Sequence, residues 1–114
     1  MAMPVLLATD AMATRFELVL HGAHAAQLRA AGETALAEIE RVERLLSAYR
    51  DDSDIARINR HGAHQPVRVT AETCRVLRQC VALSRACDGA FDISVGPLVR
   101  VWREAAARGA VPDE

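Results

Sequence analysis

Lysine is absent from this chain. All 14 of its basic residues are arginine, and they face 15 acidic ones for a formal charge of −1. A balance so near neutrality gives no strong electrostatic pull toward nucleic acid. Aromatic residues are scarce, with two Phe, one Tyr and one Trp in 114 residues. No apolar run approaches the roughly 18 residues needed to span a membrane. The first residues, Met-Ala-Met-Pro-Val-Leu-Leu-Ala, lack a basic flank and are too short for the apolar core of an export signal. Cysteine is present in odd number, as Cys74, Cys80 and Cys87. Helical spacing puts Cys80 and Cys87 on one face but about two turns apart, too far to bridge. Free thiols in a reducing cytoplasm are therefore expected. No phosphate-binding Walker loop, Gly-x-Ser-x-Gly elbow, His-Glu-x-x-His or Cys-x-x-Cys occurs.

What remains is ordinary globular composition, 51% hydrophobic and 25% charged, in a length that suits a single domain at most. Residues 12–20 alternate apolar and polar and predict a half-buried strand. Residues 24–47 predict one long amphipathic helix. Leu28, Ala31, Ala35, Ile39, Val42 and Leu46 form its inner stripe, and Arg29, Glu33, Glu40 and Arg44 a solvated face with i, i+4 pairs. Gly32 is the expected weak spot, costing up to about 1 kcal/mol inside a helix. Asp52 or Ser53 can cap a short helix reaching Asn59. Pro66-Val67-Arg68-Val69 predicts a short strand with Arg68 outward. Thr70 then caps a helix to about Asp88, with Cys74, Leu77, Val81 and Ser84 inward, widened by Cys80, Leu83 and Cys87. Residues 97–108 predict a last helix carrying Leu98, Val101 and Trp102. Pro112-Asp113-Glu114 reads as the start of a further element, as though the sequence stopped there.

Between the last two helices lies Gly89-Ala90-Phe91-Asp92-Ile93-Ser94-Val95-Gly96-Pro97-Leu98. Gly89 can take a positive φ and end a helix in a left-handed cap. Pro97 is tolerated in the first turn of the next. An aromatic ring and a carboxylate between two such turns suit close approach to a flat polar ligand, or simply a helix connector with Phe91 in the core. Tyr49 likewise reads as a ring covering a helix end or as a platform for a planar ligand. The repeated His21-Gly-Ala-His24 and His61-Gly-Ala-His64 could join in a zinc site only if the two turns met in space. Neither has an acid nearby in sequence, and polar turns are the simpler reading.

Three stretches, in order, resemble the FAD:protein FMN transferases, the ApbE-type family. Met12-Ala13-Thr14-Arg15-Phe16-Glu17 resembles the family's opening strand, with Ala13 where Gly is usual. Leu46-Ser47-Ala48-Tyr49 through Ser53-Asp54-Ile55 to Asn59 resembles its Ser-x-Tyr segment. Gly89-Ala90-Phe91-Asp92 with Val95-Gly96-Pro97-Leu98 resembles its central motif, with Ser94 for the commoner Thr. The resemblance implies an α+β fold with antiparallel strands packed on a long helix, here the N-terminal portion of a longer ApbE-like (T-fold-like) domain spanning 1–114. It implies a reaction that cleaves FAD at its pyrophosphate, joins FMN to a Thr or Ser hydroxyl of a target protein and releases AMP. It also implies Mg²⁺, held by ligands outside this chain, so that the chain alone is expected to transfer no flavin. Met12, Tyr49, Ala90, Phe91 and Asp92 match the residues that cradle the cofactor. Thioether and ring offer π-surface, and the carboxylate can accept from ring or ribose donors.

The expected partners are FAD and a flavin-accepting protein, with no nucleic acid, no membrane span and self-association through uncovered apolar surface. Many family members resemble exported lipoproteins; without their signal, this chain is expected in the cytoplasm. A different class of function stays open: a non-catalytic flavin-binding or protein-interaction module built on the same fold.

Overall fold

The computed structural model describes residues 3–112, which fall into two compact units, one up to Thr70 and one from Ala71 onward. Asp113 and Glu114, where the sequence signals a further element, lie outside the described residues.

The first unit begins with a β-hairpin. Strand β1, Val5–Ala11, pairs antiparallel with β2, Thr14–Leu20, in a register running from Val5↔Leu20 to Ala11↔Thr14. Only Met12 and Ala13 connect them, both left-handed at φ 53° and 58°. A two-residue turn with two positive φ values is of type I′, whose twist matches that of the flanking strands. The strand expected from residue 12 therefore starts at Thr14. β1 escaped the sequence reading because apolar Leu6, 65% exposed, blurs its alternation. Val5, Leu7, Thr9 and Ala11 share the inner face with Phe16, Leu18 and Leu20.

The left-handed turn carries a cost. An L-residue in this conformation loses roughly 1–2 kcal/mol, and glycine avoids the clash at some entropic cost. Ala13→Gly is accordingly expected to stabilise the hairpin by about 0.5–1 kcal/mol. Urea unfolding checks this as a higher midpoint at unchanged slope.

Helix α1, Ala25–Leu46, covers the inner face of the hairpin. Its buried stripe is centred on Gly32 and Leu36, with Leu28, Ile39, Glu43 and Leu46 half-buried and Ala31 and Ala35 exposed. The stripe is thus rotated by one position from the expected one, which favoured alanines over a glycine. Gly32 is the point of closest approach. A Cβ there would stand 2.8 Å from Leu20 Cδ1 and would also collide with Leu7 Cδ1. Glu40 does not act through Arg44 as the spacing suggests; its Oε1 accepts from the Thr9 hydroxyl at 2.8 Å.

A loop leads from α1 to helix α2, Asp54–His61. Its N-cap is Ser53, fully buried, whose hydroxyl accepts from Ala56 N at 2.9 Å and donates to the Ser47 carbonyl. One side chain thus caps α2 and closes the 47–53 loop. Asp54, only 3% exposed, pairs with Arg57 and accepts from both the amide and the hydroxyl of Thr70 at 2.9 Å. The Pro66–Val69 strand does not form. Val67 and Val69 are half-buried while Arg68 is exposed, but among the described residues the sheet has two strands only. Period-two patterning creates a face; a ladder also needs a neighbouring edge.

The second unit contains helix α3, Ala71–Ala86, a 3-10 turn at Ile93–Val95, and helix α4, Gly96–Ala107. The inner side of α3 includes buried Thr73 and half-buried Cys74, Leu77, Cys80 and Ser84, whereas Val81 and Leu83 are exposed. Asp88 and Gly89 are left-handed at φ 52° and 79°, and Gly89 N returns to the Ser84 carbonyl at 2.8 Å, so the glycine cap forms where expected. Pro97 sits in the first turn of α4. Leu98 and Trp102 on that helix are more than half exposed.

Candidate flavin site

In the first unit, the type I′ turn and the end of α1 enclose an open, largely apolar pocket of about 470 Å³. That volume lies within the range of roughly 300–1,000 Å³ of small-molecule and cofactor sites. Met12 and Ala13 form one wall; Leu46, Tyr49 and Arg50 form the other, with Glu43 between them. The hairpin pushes Met12 outward because both central residues of such a turn leave the ladder. The break after α1 presents Tyr49, whose amide donates to Ser47 Oγ at 3.2 Å. Arg50 is clasped by Asp52, Nε to Oδ1 at 3.0 Å and a terminal nitrogen to Oδ2 at 3.1 Å. That pairing raises the arginine's pKa and lowers the aspartate's. A second, more polar depression of about 420 Å³ lies on the other side of the turn, lined in part by Asp10, Ala13, Arg15 and Glu43.

In the second unit, Ala90, Phe91 and Asp92 occupy the loop between α3 and the 3-10 turn. Asp92 caps that turn: its Oδ1 accepts from the Ser94 amide at 2.8 Å and the Ser94 hydroxyl at 2.7 Å. Those two hydrogen bonds hold its carboxyl below the usual range. Phe91 is 39% exposed rather than a core residue, and its amide donates to Cys87 Sγ at 3.2 Å. Of the five residues expected to cradle a flavin, Met12 and Tyr49 share one pocket, and Ala90, Phe91 and Asp92 share one loop.

The model of the ApbE family matches residues 12–114. This chain belongs to the ApbE family. A curated relative from Vibrio cholerae, an FAD:protein FMN transferase, is 38% identical over 64 residues, covering 56% of this chain and 19% of that protein. Another of the same name, from Treponema pallidum, is 34% identical over 89 residues, covering 78% of this chain and 25% of the relative. The crystal structure of the ApbE protein of Thermotoga maritima superposes with a TM-score of 0.79 at 27% identity, over 87% of this chain and 31% of that one. The chain therefore spans 19 to 31% of the length of these relatives.

The α+β architecture expected from the resemblance is that of the ApbE neighbour, with an antiparallel hairpin packed on a long helix. Glu43 and Arg50 are pocket residues that sequence reasoning passed over. Glu43 carried no usable signal, because the stripe read from the sequence passes through Val42 and only packing turns Glu43 inward. Arg50 carried none, being one arginine of many. The two His-Gly-Ala-His tetrapeptides do not form matched turns. His24 precedes α1 as its N-cap, whereas His61 is the last residue of α2. Among the described residues no three His, Cys, Asp or Glu side chains are grouped to hold a metal ion, and no helix is long and apolar enough to cross a membrane.

Proposed function

We propose that this chain is the flavin-holding part of an FAD:protein FMN transferase. The single observation that carries the reading is that Met12 and Tyr49 line the same apolar pocket, in a chain whose curated relatives bear that name. In the proposed reaction a Thr or Ser hydroxyl oxygen of a target protein attacks the FMN-side phosphorus of FAD. The P–O bond to the AMP moiety breaks, AMP leaves with the bonding electrons and the hydroxyl proton is lost. The residues here bind and orient the donor. The Met12 thioether and the Tyr49 ring offer polarisable faces to the tricyclic ring. Asp92, with Oδ1 already committed to Ser94, can accept from a cofactor donor through Oδ2, and Ala90 and Phe91 offer backbone contact.

Mg²⁺, when bound, would neutralise charge on the transferring phosphate. Among the described residues no three His, Cys, Asp or Glu side chains are grouped to hold it. Transfer is assigned to a protein of the relatives' length, acting on an acceptor protein, and flavin binding to this chain. Three free, half-buried cysteines support a reducing compartment such as the cytoplasm. Exposed Leu98 and Trp102 support self-association.

Titration with FAD, followed by quenching of flavin fluorescence, tests the assignment. Tyr49→Ala is expected to weaken binding about tenfold through loss of ring stacking, and Tyr49→Phe to leave it within about threefold. Tyr49→Ala with wild-type affinity and an unchanged melting temperature would remove this pocket from the site. Binding that follows this pattern in a relative-length protein, without a covalently flavinylated acceptor, would favour a non-catalytic flavin module.

A further inference from the structure

We propose that Glu43 is a positioning residue for flavin binding, fixing the turn that presents Met12; this rests on the pocket assignment above. In a two-residue hairpin the amide of the first turn residue points away from the ladder and has no strand partner. Here that donor is the Met12 N–H, and it reaches Glu43 Oε1 at 2.8 Å. Glu43 comes from α1, thirty-one residues further along the chain. Three residues earlier in both elements, the Thr9 hydroxyl meets Glu40 at 2.8 Å. Two glutamates one helical turn apart thus clasp the edge of β1 and the turn that follows it.

The two clasps differ in what they hold. Glu40 binds a strand already fixed by its ladder, whereas Glu43 binds a turn whose residues are both left-handed. Glu43 also lines the pocket together with Met12 and Tyr49, and Glu40 does not. Tyr49 follows Glu43 by six residues, just beyond the end of α1. The carboxylate therefore references the Met12 wall of the pocket to the helix that carries the Tyr49 wall. A ring held between thioether and phenol requires both walls at a fixed spacing, and pre-organising that spacing removes an ordering cost from binding.

The test uses this chain, FAD as the probe, and two readouts: the FAD dissociation constant and the hydrogen-exchange rate of the Met12 amide. Glu43→Met keeps side-chain length but offers no comparable acceptor. It is expected to speed Met12 exchange and weaken FAD binding, each about tenfold. Glu43→Gln retains an oxygen at the same reach and is expected to restore both to within about threefold of wild type. Glu40→Met removes the neighbouring clasp and is expected to lower the melting temperature without changing FAD affinity. If Glu43→Met does not fold, Glu43→Asp, too short to reach the amide, carries the same expectation. The proposal is overturned if exchange quickens while FAD affinity holds, if Glu43→Gln loses as much affinity as Glu43→Met, or if Glu40→Met loses as much as either. Failure of the pocket assignment looks different. Tyr49→Ala and Met12→Ala would then leave FAD affinity unchanged, and the flavin role of Glu43 would fall with it even where Met12 exchange still reports the clasp.

Discussion

Asp54→Ala is expected to destabilise the first unit by about 3 kcal/mol, a large fraction of a small domain's stability. The carboxylate is 3% exposed, and its donors include the Arg57 guanidinium and the amide and hydroxyl of Thr70. Removing it takes a charged acceptor from the Thr70 amide and hydroxyl in a partly buried place and breaks the ion pair with Arg57. Each hydrogen bond to a charged group contributes about 1.5–3 kcal/mol, though not additively. Arg57 is nearly half exposed and regains water, which discounts its share. Asp54→Asn should recover part of the loss, because its amide oxygen can still accept from Thr70. Urea denaturation of the three proteins checks the ranking wild type, Asn, Ala; equal midpoints for wild type and Ala would show that the Thr70 anchor adds nothing.

The second large effect runs against helix propensity. Gly32→Val is expected to cost about 3 kcal/mol and Gly32→Ala about 1 kcal/mol net, although alanine is the better helix former by about 1 kcal/mol. The reason is the close approach of α1 to the hairpin, where a new Cβ meets the Leu7 and Leu20 methyls together. Each leucine end can move, but both sit on the one face that α1 covers, so relief of one contact crowds the other. Ala35→Gly, three residues on at an exposed position of the same helix, is the control. There glycine should be the destabilising residue, by about 1 kcal/mol. Both midpoints should therefore fall, and a midpoint that rises for Gly32→Ala while it falls for Ala35→Gly would undo the tight-packing account.

The five candidate residues proposed for flavin binding can be named from the sequence. Met12 is named by the family resemblance alone, whereas Tyr49 also reads locally as a ring at a helix end, and Asp92 as an acid that follows an aromatic between two turns. The structure adds that Met12 owes its exposure to a left-handed turn, and that Asp92 spends one oxygen on capping its own loop. It also adds Glu43, which no motif names. A hydrogen bond between residues 12 and 43 has no local signature; it depends on which helix residue faces the turn after packing.

The sequence by itself determined the helices and their ends, since caps, glycines and 3.6-residue spacing act within a few residues of one another. Ser53 before α2, Gly89 after α3 and Pro97 opening α4 are cases of that kind, and α1 matches its expected span within a residue at each end. It also determined the family, because three motifs in order carry it. Only the tertiary structure decided the pairing of β1, the failure of 66–69 to become a strand, and the rotation of the α1 stripe onto Gly32. Each depends on a partner distant in sequence: a strand needs an edge, and a helix face is chosen by what lies beneath it. A glycine that weakens an isolated helix is the residue that lets this one settle onto its hairpin, a choice that local propensity cannot make.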